Sequence, residues 1–129
     1  MSVFLVETYL VKPGKQKEFI SLLHRIRKYK EQKPEQFKEM KSKRIFSQMF
    51  GGISDSYIEM NEFDNIANAE KYMARIFKDE GFMKLYQEAK LLLVPATYSL
   101  EVWNSVTWIS VMSRHLDVIF AEVQANSQT

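Results

Sequence analysis

The stretch VFLVETYLVKPGKQKEFISLLHRI, residues 3–26, decides the fold. Its first part, up to Lys12, is rich in β-branched and aromatic residues and ends at Pro13-Gly14, a strong turn signal. From Lys15 the period changes. Phe19, Leu22, Leu23, Ile26 and Tyr29 recur at helical spacing, with Lys, Glu, Arg and His between them. A strand, a tight turn and an amphipathic helix therefore open the chain. The helix is predicted to end before Pro34, because a proline biases the residue ahead of it, Lys33, out of the α region.

Working outward, Lys43 to Phe50 reads as a strand, Gly51-Gly52 as a hairpin turn and Ser56 to Phe63 as the next strand. Glycine supplies the positive φ that tight hairpin turns require. No Gly-Lys-Ser/Thr follows the glycine pair, so a phosphate-binding loop is not expected. Asp64 or Asn65 can cap a second helix with Ile66, Ala69, Tyr72, Met73, Ile76 and Phe77 on its inner face. Gly81 is expected to break it. A further helical stretch carries Phe82, Leu85, Tyr86, Ala89 and Leu92, stops at Pro95, and gives way to a fourth strand over Thr97 to Asn104.

The order β-α-β-β-α-β predicts an α+β, ferredoxin-like domain over residues 1–106, with two helices covering one face of a four-stranded antiparallel sheet. In that arrangement the strands lie in the spatial order 4-1-3-2. Residues 107–129 read as an additional C-terminal helix of the same domain, with Trp108, Met112, Leu116, Ile119 and Val123 on one stripe.

The chain has 129 residues, 46% hydrophobic and 26% charged, which suits one globular domain. It has no cysteine, which excludes disulfides, thiolate metal sites and cysteine nucleophiles. A net charge of +2 is too small to imply a nucleic-acid partner by itself, and a basic patch for an anionic partner over Arg25 to Arg44 is the weakest of the three readings. The basic residues between Arg25 and Arg44 are interleaved with Glu31, Glu35 and Glu39 and read as a solvated face. No apolar run is long enough to span a bilayer, and the first residues lack a basic leader, so no membrane association and a cytoplasmic location are expected.

Side chains on a strand point alternately to opposite faces. In the first strand Phe4, Val6 and Leu10 are expected to face the helices. The other parity still holds Val3, Leu5, Tyr9 and Val11, joined by Tyr57 and Phe63 from the third strand and Trp103 from the fourth. Each large side chain left in water forgoes about 1.5–3 kcal/mol. A second face this apolar predicts a homodimer packed sheet to sheet, with the C-terminal helix covering its own sheet as the alternative.

The segment Tyr9-Leu-Val-Lys-Pro-Gly-Lys-Gln-Lys-Glu-Phe19, followed by Leu22-Leu23, resembles the first strand and helix of the dimeric α/β-barrel superfamily, which includes antibiotic-biosynthesis-type and haem-degrading monooxygenases. The likeness covers residues 3 to 104 in element order. It implies a homodimer that binds a small hydrophobic or aromatic molecule, with a cofactor-independent monooxygenase-like activity as one outcome. A non-enzymatic interaction or regulatory module, its sheet face given over to oligomerisation, is the alternative. The haem-degrading members' Asn, Trp and His align nearest to Glu7 or Tyr9, Phe63 and Tyr86, so that activity does not carry over. No cofactor is expected.

Glu7, Glu59 and Glu101 lie near the middles of three neighbouring strands at the parity of the second face. Converging in an apolar space, three carboxylates cannot all ionise, and one is poised for acid–base work. They are the candidate catalytic residues. Tyr9, Tyr57, Asn61, Phe63 and Trp103 are candidates to line the substrate cavity, with Ser47 beside them. His24 and His115 fall on separate helices, so no metal site is expected.

Overall fold

The computed structural model describes residues 2–106. The expected C-terminal helix and His115 lie outside the described residues. The elements are β1 (Val3–Leu10), α1 (Gln16–Gln32), a single 3-10 turn (Pro34–Phe37), β2 (Ser42–Ser47), β3 (Ser56–Phe63), α2 (Ile66–Ile76), α3 (Glu80–Leu91) and β4 (Ser99–Asn104). The sheet is antiparallel in the order β2-β3-β1-β4, the ferredoxin-like arrangement. Between β2 and β3, Gly51 and Gly52 have φ of +71° and +59°, which is why glycine stands at both.

Which side of the sheet meets the helices differs from expectation. Val3, Leu5, Tyr9 and Val11, with Tyr57 and Phe63, are buried on the helix side. Phe4, Val6 and Leu10 lie on the outer face. There the cross-strand partners are Val6 with Met60, Phe46 with Ile58, and Phe4 with Trp103. Both sets of β1 are apolar, so β1 alone does not choose between them. The helices do, because Tyr72, Phe82 and Phe19 offer apolar partners to Leu5, Phe63, Tyr9 and Tyr57 on that side. The outer face is still strongly apolar, with Phe46 39% and Trp103 56% exposed.

The buried side chains form two separate clusters. One joins Leu5, Phe63, Ala69, Tyr72, Ile76, Phe37 and Phe82. The other joins Tyr9, Val11, Tyr57, Phe19 and Leu93. Along β1 the residue between Leu5 and Tyr9 on this face is Glu7. Along β3 those between Phe63 and Tyr57 are Asn61 and Glu59. A polar seam thus crosses the sheet between two apolar halves.

Gly81 does not break a helix; it sits in the first turn of α3. The break comes earlier. α2, capped by Asn65 through its side chain to the Asn68 amide, ends at Ile76. Asp79 then caps α3, accepting from the Phe82 amide at 2.9 Å. Asp79 also accepts from the Tyr29 hydroxyl of α1 and lies 3.8 Å from the Lys33 ammonium. Gly81 is required by this close approach, since a Cβ there would stand 2.6 Å from the Tyr29 hydroxyl oxygen and 2.9 Å from its ring. Gly81→Ala is therefore expected to cost about 1–2 kcal/mol net of the helix-propensity gain, read as a lower urea midpoint; an unchanged midpoint would show that α1 and α3 yield freely.

Candidate functional site

The register places Glu7 directly opposite Glu59, on the helix side. Carboxylates facing each other across a strand pair repel, and burial strengthens the effect. Neighbouring groups offset it. Lys43, on β2 opposite Asn61, brings its Nζ to 2.8 Å from Glu59 Oε1. Glu7 accepts a hydrogen bond from Asn61 Nδ2 at 3.0 Å and another from the Tyr98 hydroxyl at 2.5 Å. Tyr57, Tyr9 and Tyr98 stack in a row across β3, β1 and the segment before β4, with centroids 5.9 and 6.5 Å apart.

Two buried polar atoms in this group lack a well-formed hydrogen bond among the described residues, Asn61 Oδ1 and the Tyr9 hydroxyl, which Glu59 approaches without reaching good geometry. Tyr9 is 3% and Asn61 4% exposed. Both line a cavity of about 120 Å³ between sheet and helices, together with Glu7, Glu59, Tyr98 and Lys30. A cleft of about 460 Å³ lies beside it, bordered by Ile20, His24 and Arg27 of α1 and Ile45 of β2. Leu23, Ile26, Lys30, Met40 and Lys43 line both spaces, so the two lysines stand where cleft meets cavity.

The electrostatics follow from this packing. Burial, then the Glu59 charge, raises the Glu7 carboxyl above its ordinary value despite the hydrogen bonds from Tyr98 and Asn61 and the charge of Lys43. Burial and both carboxylates push the Tyr9 hydroxyl well above the usual phenol range, and burial and Glu7 do the same to Tyr98. Both phenols are therefore proton donors. For Lys43, burial favours the neutral amine, but Glu59 outweighs it and the ammonium is held above its usual value.

Lys30 goes the other way: burial, then the neighbouring Lys43 charge, lowers it from 10.5 to about 7 against the pull of Glu59 and Glu7. Its Nζ lies 5.4 Å from the Phe37 ring centroid and 5.8 Å from that of Phe82. Each ring favours the cation by only about 0.5–1 kcal/mol. Because its folded value lies below the free one, Lys30 contributes stability that is full above pH 10.5 and is lost as pH falls through about 7. Between pH 7 and pH 10 the protein should gain about 2–3 kcal/mol from this group after allowing for its partial exposure. Lys30→Met should flatten that rise in urea denaturation across pH. Parallel curves for the two proteins would place the amine in water. Glu7 acts oppositely: its contribution is full below about 4.5 and is lost as pH rises through its raised value.

Of the residues expected from sequence, Glu7, Glu59, Tyr9 and Asn61 come together in this chamber. Glu101 and Trp103 do not. Glu101 is cross-strand partner to Val6 and Trp103 to Phe4, so both lie on the outer face, where the Trp103 Nε1 donates to Glu101 Oε2 at 2.8 Å. The expectation that three carboxylates converge is corrected to two, because β4 pairs with β1 one residue out of the assumed register. Tyr57 and Phe63 pack in the apolar clusters behind the chamber, and Ser47 ends β2 in an exposed position. Sequence reasoning missed Lys30, Lys43 and Tyr98. Lys30 was visible as a lysine eleven residues after Phe19 and four after Ile26, on the apolar stripe itself. Among the described residues no group of His, Asp or Glu could hold a metal ion, and no helix is long and apolar enough to cross a membrane.

No family model matches the sequence, and no curated protein matches it. Solved structures do. A mutant of SnoaB, a cofactor-independent oxygenase from Streptomyces nogalater, is 14% identical with a TM-score of 0.62, over 84% of this chain and 97% of that one. A NIPSNAP family protein from Agrobacterium tumefaciens is 11% identical with a TM-score of 0.68, over 84% and 96%. An antibiotic biosynthesis monooxygenase is 11% identical with a TM-score of 0.59, over 81% and 99%. At these identities the likeness is one of fold: the chain has the ferredoxin-like fold that those structures share.

Proposed function

We infer that the chamber binds a small, largely apolar molecule bearing an acidic hydroxyl, such as a phenol or enol, and moves its proton. The observation that carries this is the pair of buried atoms without a well-formed hydrogen bond, the Tyr9 hydroxyl and Asn61 Oδ1, both lining a cavity with Glu7. A ligand with one acceptor and one donor satisfies both, which removes the penalty of leaving them unsatisfied. Glu7 is the proton-transfer group, since burial and then the Glu59 charge raise its carboxyl above its ordinary value and it faces the same space. Glu59, tied to Lys43, is the fixed charge that keeps Glu7 there. Apolar walls exclude water, and the cleft is the entrance.

The fold likeness to a cofactor-independent oxygenase supports extending this to oxygenation. A deprotonated electron-rich aromatic can itself reduce dioxygen, so the protein need supply only a base and a dry pocket. The apolar outer face supports a homodimer, its sheets packed through Phe4, Val6, Ile58, Met60 and Trp103.

A panel of phenols and hydroquinones tests the reading, with binding followed by thermal shift and oxygen uptake by electrode. Glu7→Gln should keep binding and lose about 10²–10⁴ in turnover. Should no panel member raise the melting temperature, the chamber is not a site for phenols and the proton-transfer reading falls.

A further inference from the structure

We propose that Lys30 is a nucleophilic amine that captures a small aldehyde or ketone entering from the cleft, forming a Schiff base. This rests on the reading that the chamber admits small molecules, but adds a covalent step and a second substrate class, carbonyl compounds.

Lys30 has the placement such an amine needs. It borders both the cleft and the inner cavity, so an incoming molecule meets it before the carboxylates. Its stem lies on the apolar side of α1 with Ile26, and its Nζ is framed by the rings of Phe37 and Phe82. No carboxylate forms an ion pair with it among the described residues; Glu59 is engaged by Lys43 instead. The charged groups around it are Lys43 of β2, Glu59 of β3 and Glu7 of β1, with Lys90 of α3 lining the same cavity and His24, Arg27 and Glu31 of α1 lining the cleft, the last two paired at 3.0 Å. A desolvated lysine beside a second cation is a recognised way to obtain a free amine at neutral pH. The lowering of Lys30 to about 7 agrees with that arrangement.

The step balances without any oxidant. The amine lone pair attacks the carbonyl carbon, a C–N bond forms, and a proton passes to the oxygen to give a carbinolamine. The C–O bond then breaks and the hydroxyl leaves as water, taking a proton from the chamber's acid, for which Glu7 is placed. The nitrogen lone pair forms the C=N bond as water departs, and the resulting iminium returns its N–H proton to the Glu7 carboxylate to leave a neutral imine; nothing has been oxidised or reduced.

The test uses the whole chain at pH 7 with butanal and sodium cyanoborohydride, which reduces any imine to a stable secondary amine, followed by peptide mapping. A lysine at about 7 has on the order of a thousandfold more free amine at this pH than one at 10.5. Lys30 should therefore carry the butyl group well before any other lysine. Lys43→Met removes the neighbouring charge and should slow labelling of Lys30 at pH 7 while restoring it at higher pH. Even labelling of all lysines would overturn the proposal, as would an unlabelled Lys30. If phenols bind the chamber and Lys30 stays unlabelled, this inference alone falls. If Lys30 is labelled and no phenol binds, the proton-transfer reading falls and the reactive amine stands.

Discussion

Phe63→Ala is expected to lower the unfolding free energy by about 3–5 kcal/mol, with a proportionate fall in urea midpoint. Phe63 is 0% exposed, and its ring centroid is 5.2 Å from that of Tyr72 on α2. Removing the ring loses its transfer energy and leaves a hole that α2 and β1 cannot close together. Phe46→Ala is the informative comparison. That ring is 39% exposed on the outer face, so its removal should change the monomer's stability by no more than about 0.5 kcal/mol. A dimer through that face would instead weaken, seen as a concentration-dependent shift in sedimentation. Comparable losses for both substitutions would mean that the wrong side of the sheet has been taken as the core.

Replacing Lys43 by methionine should cost about 2–4 kcal/mol near neutral pH, somewhat below the usual figure for breaking a buried ion pair. The discount reflects a Lys43 side chain that is 27% exposed against 10% for Glu59. The loss arises because Glu59 loses its 2.8 Å ion pair and then faces Glu7 with only Lys30, which makes no such pair, as a neighbouring amine. Adding Glu59→Gln should recover most of it, since the amide keeps the shape and removes the charge. A single variant as stable as the parent would show that solvent already screens the pair.

The order of strands and helices was legible because each element carries its own period, and the Pro13-Gly14 and Gly51-Gly52 turns mark where the period changes. The orientation of the sheet was not. Val3, Leu5 and Tyr9 differ little in hydrophobicity from Phe4, Val6 and Leu10, and the choice is made by partners distant in sequence, chiefly Tyr72, Phe82 and Phe19. The Glu7–Glu59 pairing was readable because both strands were placed correctly, whereas Glu101 depended on a register that no local signal specifies. Lys43 was hidden by its neighbours: within a run of basic residues it looks solvated, and only the pairing of β2 with β3 turns it inward. Asp79 displaced Gly81 as the helix boundary because a capping carboxylate fixes a helix start more firmly than a glycine marks an end.

The polar seam has a cost that the rest of the molecule must carry. Leucine or methionine at Glu7, Glu59 and Lys43 together would merge the two apolar clusters into one continuous interior, and replacing a whole buried charged group by well-packed hydrocarbon is often neutral or stabilising. A chain shaped for robustness alone would have made that exchange. Three ionisable side chains across the middle of its own foundation are what the proposed proton-transfer site would demand of the fold.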